Sequence, residues 1–442
     1  MPTTQPLEFV KEAISPDQVL SPYVYVFYSA FIIAFVLTPV MRSVAIYYNI
    51  VDKPDLVRKL HAQPVAYLGG VAVFMGWLAG LATTQFIGAH YLMAGVDDRL
   101  RMPMWMVAGA FVVMLLGLWD DTKHISPRAK VIGQIVAAIL LLADGIGTTV
   151  TQTFLANLTA RLDTHLGIYV PPDVLHWIVF GTSSMVTVAL VMFCCNASNL
   201  MDGLDGLCGG VTAIIAAGFL FLAVIVGEHT GVFANAGELS DFVNREGVRV
   251  VIAVAMLGGI LGFVPYNFNP ASIFLGDAGS MFLGFLCALM ILLLGEVHGK
   301  WLLGGMVMFA LPVLDTSLAF ARRYVAGRPF FSADRHHFHH QLIQRGLSVK
   351  QAVLVSYALT IFFVLCGITM VYLRTRYALA FYLVLFGSIV VTAYKMGMIH
   401  ERVVVETSSK MTAESVAAVP TDEINPEGIL EIRSEKPLID LR

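Results

Sequence analysis

Long apolar runs recur along almost the whole chain, and crossing a bilayer takes about 20 residues of helix. About eleven runs meet that need, near residues 23–48, 65–88, 104–119, 131–147, 175–195, 207–227, 248–265, 279–297, 301–319, 353–373 and 377–397. Inside lipid a segment must satisfy its own backbone hydrogen bonds, so each run reads as a helix. Composition excludes the soluble alternative: of 442 residues, 57% are hydrophobic and only 13% charged, with a mean hydropathy of +0.75. The expected fold is therefore all-α, a polytopic membrane protein with an integral-membrane domain over residues 1–398. From 399 to 442 acidic residues and Pro420, Pro426 and Pro437 predict a polar tail without a packed core.

Lys11 among polar and acidic residues, with no short apolar core and small-residue cleavage site behind it, does not read as a secretory signal, so the first run is expected to be an anchor. Loop cations set the orientation. Arg42, Lys53, Arg58 and Lys59, then Lys123, Arg128 and Lys130, then Arg322, Arg323, Arg328, Arg335, Arg345 and Lys350 all fall on alternate connections. That side is expected to be cytoplasmic, with the N-terminus outside and the tail inside. A net charge of −3 averages these loops with the acidic tail. Cys194, Cys195, Cys208, Cys287 and Cys366 lie in or beside the apolar runs without metal-ligand spacing and read as packing residues. Nothing in the chain has the signature of a nucleic-acid binder.

Several polar stretches interrupt this pattern. Asn196-Ala-Ser-Asn199-Leu-Met-Asp202-Gly-Leu-Asp205-Gly206 sets amides and carboxylates at three-residue spacing after an apolar run. At a helix end the backbone already carries negative partial charge, so carboxylates there call for a cation; a polar turn favouring Asn, Asp and Gly is the competing account. Asp120 and Asp121 adjoin at another membrane boundary, where repulsion and lost solvation oppose their pairing. Asp97-Asp98, in an external loop, receives no role. Lys59 and His61 precede Gly69-Gly70, a combination suited to phosphate oxygens with close backbone approach; a basic loop of the kind that orientation alone demands is the competing account. Asp277 stands between Gly276 and Gly279 at the entry to a run, a ligand position with room for phosphate or metal, or an ordinary helix cap. Finally Asp334-Arg335-His336-His337-Phe338-His339-His340 offers donors for a diphosphate or uridine, or ligands for a soft metal; the metal reading lacks cysteine partners, whereas anion binding agrees with the surrounding arginines.

On the orientation above, all these groups except Asp97-Asp98 face the cytoplasm. Together they supply ligands for Mg²⁺, which prefers one or two carboxylates plus water and phosphate, and donors for a nucleotide diphosphate. The motifs Lys59-x-His61, Gly69-Gly70, Gly117-Leu-x-Asp120-Asp121, Asn196-x-x-Asn199-x-x-Asp202-Gly-x-Asp205-Gly, Gly276-Asp277-x-Gly279-Ser280 and Asp334-Arg335-x-His337-x-His339-His340 occur in this order. In them the sequence resembles the polyprenyl-phosphate N-acetylhexosamine-1-phosphate transferases, and the last motif resembles the branch using UDP-N-acetylglucosamine and undecaprenyl phosphate in O-antigen, common-antigen or teichoic-acid linkage synthesis.

The resemblance implies a Mg²⁺-dependent enzyme, with Mn²⁺ as an alternative ion, in the bacterial cytoplasmic membrane. Its partners would be a UDP-sugar and a polyprenyl phosphate, and a homodimer is compatible. By the same resemblance Asp277 and Asn199 hold the metal, and Asp120 and Asp121 orient or deprotonate the lipid phosphate. Asp202 and Asp205 complete the catalytic set. Lys59, His61, Asn196, Asn199, Arg335, His337, His339 and His340 bind substrate. Another UDP-N-acetylhexosamine or a UDP-N-acetylmuramoyl-pentapeptide donor is the alternative. An ion-coupled transporter would carry its carboxylates at mid-span, and a CDP-alcohol phosphotransferase would need an Asp-Gly-x-x-Ala-Arg run, which Asp205-Gly206-Leu207-Cys208-Gly209 does not provide.

Overall fold

Helices make up most of the computed structural model, which describes residues 23–52, 64–86, 102–229, 240–325, 327 and 337–395. These residues belong to a unit spanning 1–400. In chain order the helices are α1 Val24–Tyr47, α2 Gly69–Thr83, α3 Met104–Lys123, α4 Pro127–Ala143, α5 Gln152–Leu166, α6 Pro172–Met201, α7 Leu207–His229 and α8 Ser240–Asn267. After them come α9 Gly276–Gly295, α10 Gly299–Met308, α11 Ala310–Val325, α12 Phe338–Gln344, α13 Val349–Tyr372 and α14 Thr375–Lys395. Between α1 and α2 a short hairpin pairs β1 Val51–Asp52 antiparallel with β2 Val65–Ala66, Val51 facing Ala66.

Each apolar run read from the sequence overlaps helix, but the run near 301–319 is split between α10 and α11 and the run near 65–88 is helical only over Gly69–Thr83. Among the described residues, seven helices are long and apolar enough to cross a membrane, and α10 with α11, bent by 74°, makes an eighth if taken as one broken span. Of the other three expected spans, two fall short. α2 has 15 residues, about 22 Å of helix against a hydrocarbon core of about 30 Å; α4 has 17 residues and carries Arg128 and Lys130 near its start; α14 has 21 residues and is apolar over Thr375–Val391. The connection from 148 to 174, read as surface, holds α5, none of whose residues is buried.

The fold is organised around α9. Its residues from Ala278 to Gly295 are all buried, enclosed by α2, α3, α6, α7, α8 and α10. Small residues permit this crowding: a β-carbon on Gly70 would run into the backbone of Gly279, one on Gly117 into Asp277 and Ala278, and one on Gly284 into Cys194 and Cys195. The expectation that Gly69 and Gly70 hold phosphate is corrected here. Their N–H groups donate to the carbonyls of Phe274 and Leu275 at 3.0 and 2.8 Å, so the pair serves the contact between α2 and the head of α9. All five cysteines are free and buried, as packing residues should be.

At the far end of the bundle polar groups are paired. Asp144 accepts from the Met106 N–H at 2.6 Å, and Glu296 from the Gly147 N–H at 2.7 Å. The end that carries the head of α9 is where carboxylates, amides and cations gather.

Candidate active site

The N-terminus of a helix exposes unpaired N–H groups and positive partial charge, and at α9 a carboxylate from another helix meets them. Asp121 Oδ1 accepts from the Asp277 N–H at 2.8 Å and Oδ2 from the Ala278 N–H at 3.0 Å. Gly276, at φ +74, leaves room for that carboxylate: a β-carbon there would come within 2.7 Å of Asp121 Oδ2. The glycine before Asp277 therefore accommodates a side chain from α3.

Asp277 itself is held from two sides. Lys130 Nζ approaches its Oδ2 at 2.8 Å and also forms an ion pair with Asp120 Oδ2. Asn199 Nδ2 donates to Asp277 Oδ1 at 2.7 Å and to Ser280 Oγ at 3.1 Å. Lys130 reaches this position because α4 starts abruptly, with Ser126 as N-cap accepting from the Ala129 N–H and Pro127 as its first residue. Asp120 is fixed further by the Ile125 N–H at 2.8 Å. Asn196 is turned toward α4, donating to Gln134 Oε1 at 2.9 Å.

α6 ends at Asp202, and the turn that follows is clamped by the loop after α8. Asp205 Oδ2 accepts from Asn269 Nδ2 and the Ala271 N–H at 2.9 and 3.0 Å, Gly206 N–H donates to Asn267 Oδ1, and the Tyr357 hydroxyl donates to Gly206 O. Asp202 is different: among the described residues its carboxylate has neither a hydrogen bond nor an ion pair. Burial, and then the carboxylates of Asp277, Asp121 and Asp205, push its pKa well above the usual range. Tyr67, unremarked in the sequence, sits beside the same cluster; burial and the charges of Asp121, Asp277 and Asp202 raise its hydroxyl pKa.

The histidine stretch enters at α12. His337 is anchored by Asp315 of α11, whose Oδ2 lies 3.2 Å from His337 Nδ1 and whose Oδ1 accepts from the Phe338 N–H at 2.7 Å. His339 is buried, stacked on His337 with ring centroids 5.7 Å apart and tilted at 52° to His340 at 4.4 Å. Burial holds its pKa down at about 3, with His340 and His337 acting in the same direction and Asp315 opposing. Lys59, His61 and Arg335 lie outside the described residues.

A groove of about 1200 Å³ reaches from part of this cluster along an exposed face of α6. Asp120, Lys130, Asn196, Asn199, Arg323 and His337 line it together with Met185, Val188, Met192, Phe193 and Phe320. Its wall on α6 runs from Ser184 to Leu200, about 24 Å of helix. The result is a long apolar groove with cations, amides and a carboxylate at one end. Lys130 and Arg323 were read from the sequence only as orienting cations, and Asp315 was not singled out; a lone carboxylate inside an apolar run is the signal that would have found it.

Among the described residues no three His, Cys, Asp or Glu side chains converge as a metal cage. Mg²⁺ needs only one or two carboxylates, with water and substrate phosphate completing its shell, and Asp120 and Asp277 already share one cation in Lys130. Those oxygen donors fit Mg²⁺ or Mn²⁺.

The glycosyl transferase family 4 model matches residues 103–295, which include every carboxylate of the cluster. Over 357 residues the chain is 29% identical to a probable undecaprenyl-phosphate N-acetylglucosaminyl 1-phosphate transferase of Bacillus subtilis, covering 80% of this chain and 86% of that protein. It is 32% identical over 345 residues to a decaprenyl-phosphate N-acetylglucosaminephosphotransferase of Mycobacterium tuberculosis, covering 74% and 78%. An undecaprenyl-phosphate alpha-N-acetylglucosaminyl 1-phosphate transferase of Yersinia pestis is 28% identical over 345 residues, covering 76% and 80%. Fold, site and relatives together define a multi-pass membrane enzyme that transfers a glycosyl 1-phosphate. The chain belongs to the polyprenyl-phosphate N-acetylhexosamine-1-phosphate transferase family, on the branch of these three relatives.

Proposed function

We propose that the enzyme transfers N-acetylglucosamine 1-phosphate from UDP-N-acetylglucosamine to undecaprenyl phosphate, releases UMP, and so starts a cell-surface polysaccharide at the cytoplasmic face of a bacterial inner membrane. The observation that carries this reading is the groove: an apolar channel along α6 ends at Lys130, Arg323 and His337, which suits an isoprenoid chain with a phosphate head. The three relatives named for N-acetylglucosamine transfer support the donor assignment. Eleven spans, with N-terminus outside and C-terminus inside, remain our reading of the topology, as do a membrane transferase domain over 1–398 and a separate tail over 399–442.

In this mechanism an oxygen of the lipid phosphate attacks the β-phosphorus of the donor directly, the bond to the bridging oxygen breaks, and UMP departs. Asp277 and Asp120, with Asn199, hold Mg²⁺, which when bound offsets the charge of the diphosphate. Lys130 and Arg323 grip the acceptor phosphate. Asp121 fixes the head of α9, and with it the direction of Asp277. Asp202, whose carboxylate is unpartnered, holds or moves a proton in the cluster, and Asp205 keeps its turn in place. Arg335, His337 and the neighbouring histidines bind the diphosphate and sugar, and Lys59 and His61 also bind substrate.

Purified enzyme in nanodiscs should release UMP on mixing Mg²⁺, undecaprenyl phosphate and UDP-N-acetylglucosamine, and should do so faster than with UDP-N-acetylgalactosamine or a UDP-N-acetylmuramoyl-pentapeptide. Preference for another donor would overturn the sugar assignment. Absence of UMP with every donor, with either undecaprenyl or decaprenyl phosphate, would overturn the reading as a whole.

A further inference from the structure

His337 lines the polar end of the cavity, and what it offers there depends on which ring nitrogen carries the proton. Asp315 sits on α11, 4% exposed, between Pro312 and the Arg322-Arg323 pair. An ionised carboxylate can only accept, so Asp315 Oδ2, at 3.2 Å, keeps the proton of His337 on Nδ1. Nε2 is then the atom left for a ligand, and among the described residues it has no partner. The other carboxylate oxygen takes the Phe338 N–H at 2.7 Å, which fixes the backbone on which the ring hangs. Two contacts from one rigid side chain thus determine both the tautomer and the orientation of the imidazole.

We propose that Asp315 is a positioning residue for donor binding: through His337 it presents Nε2 to the phosphate or sugar of the nucleotide at the cavity mouth. The inference rests on the proposed reading of the histidine stretch as donor-binding. Asp315 touches no substrate itself. Because it belongs to α11, beyond the 74° bend from α10, its position ties the histidine stretch to the wall of the groove, where Thr316, Phe320 and Arg323 of the same helix also stand.

Three variants in nanodiscs test this: Asp315→Asn, Asp315→Glu and His337→Gln, each assayed for UMP release with donor and acceptor varied in turn. An amide can turn its NH₂ toward Nδ1 and so move the ring proton to Nε2. Asp315→Asn should therefore raise the KM for UDP-N-acetylglucosamine about tenfold, the scale of one charge-assisted hydrogen bond, with the KM for lipid phosphate changed less than twofold. Asp315→Glu, which keeps the charge should Asp315→Asn not fold, should raise the donor KM by only about threefold. In the His337→Gln background Asp315→Asn should add little, since both act through one ring. Additive effects, or equal shifts in both KM values, overturn the positioning role. If His337→Gln leaves the donor KM unchanged, the donor-binding reading of the histidine stretch fails first and takes this inference with it; if His337→Gln raises it and neither Asp315 variant does, only the inference fails.

Discussion

His339 Nε2 lies against Gly203, in the space a β-carbon on residue 203 would fill. The histidine stretch and the turn after α6 are thereby in direct contact, and the ring nitrogen at the contact has no hydrogen-bond partner. In Gly203→Ala the methyl meets a buried, stacked ring with little freedom to withdraw, a change that typically costs about 1–3 kcal/mol. We expect a lower thermal midpoint and weaker donor binding, with the midpoint partly restored by adding His339→Ala. An alanine variant as stable as the parent would show that the ring moves freely.

The same histidine gives the fold a pH dependence. Its folded pKa of about 3 lies below the unfolded value of about 6.5, so between these limits the unfolded chain binds more protons and stability falls as pH falls. Above about pH 6.5 both states are neutral at this residue and the effect vanishes. The contribution approaches 1.4 kcal/mol per pH unit. Thermal midpoints measured from pH 8 to pH 5 should decline more steeply below pH 6.5 for the parent than for His339→Gln; parallel curves would count against a neutral buried imidazole.

Asp121 should act on stability as well as on turnover. Asp121→Ala removes the acceptor of two N–H groups at the head of α9, and hydrogen bonds to a charged group are worth about 1.5–3 kcal/mol each. Asp121→Asn keeps one acceptor oxygen. Thermal melts should therefore rank parent, Asn and Ala in descending order, and equal midpoints for all three would refute the capping role.

Asp277→Asn should abolish transfer while the bundle stays folded, because Lys130 keeps Asp120 and the helix head keeps Asp121. Turnover near the parental rate at limiting Mg²⁺ would remove Asp277 from the metal site.

The groove predicts a separation of substrates. Ala189 lines it on α6, well below the polar end, and Ala189→Trp should obstruct an isoprenoid chain. The expected result is a raised KM for lipid phosphate, about tenfold on the scale of an overpacked contact, with the donor KM unchanged. Equal KM values in variant and parent would place the acceptor elsewhere.

Much of this was legible in the sequence, because membrane helices must be apolar throughout and any polar residue at their ends stands out. Asp120, Asp121, Asn199 and Asp277, separated by up to 157 positions, were read as one cytoplasmic group, and they meet within hydrogen-bonding distance. Lys130 and Arg323 were hidden because a basic loop is what orientation alone requires, so their second use leaves no mark in the pattern. Asp315 was hidden by its surroundings, inside a run read only for its hydropathy. Gly69-Gly70 suits a phosphate cradle in sequence as well as it suits helix packing, because spacing cannot tell a glycine that admits a ligand from one that admits another helix. The bend at Phe309 was likewise invisible, since an apolar run of adequate length gives no sign of where it turns.

Full enclosure of α9 has a consequence for how the enzyme is made. With a mean hydropathy of 2.3, α9 is apolar enough to enter the bilayer alone, but its enclosed place exists only once its neighbours are there to pack against it. Five of its six enclosing helices, α2, α3, α6, α7 and α8, precede it in the chain. The order of synthesis thus prepares a socket before its occupant emerges, and Asp277 reaches Lys130 only when that socket is filled. A nascent chain interrupted before residue 276 holds Asp120, Asp121, Asp202 and Asp205 but lacks Asp277, so the cluster is incomplete until α9 has been made.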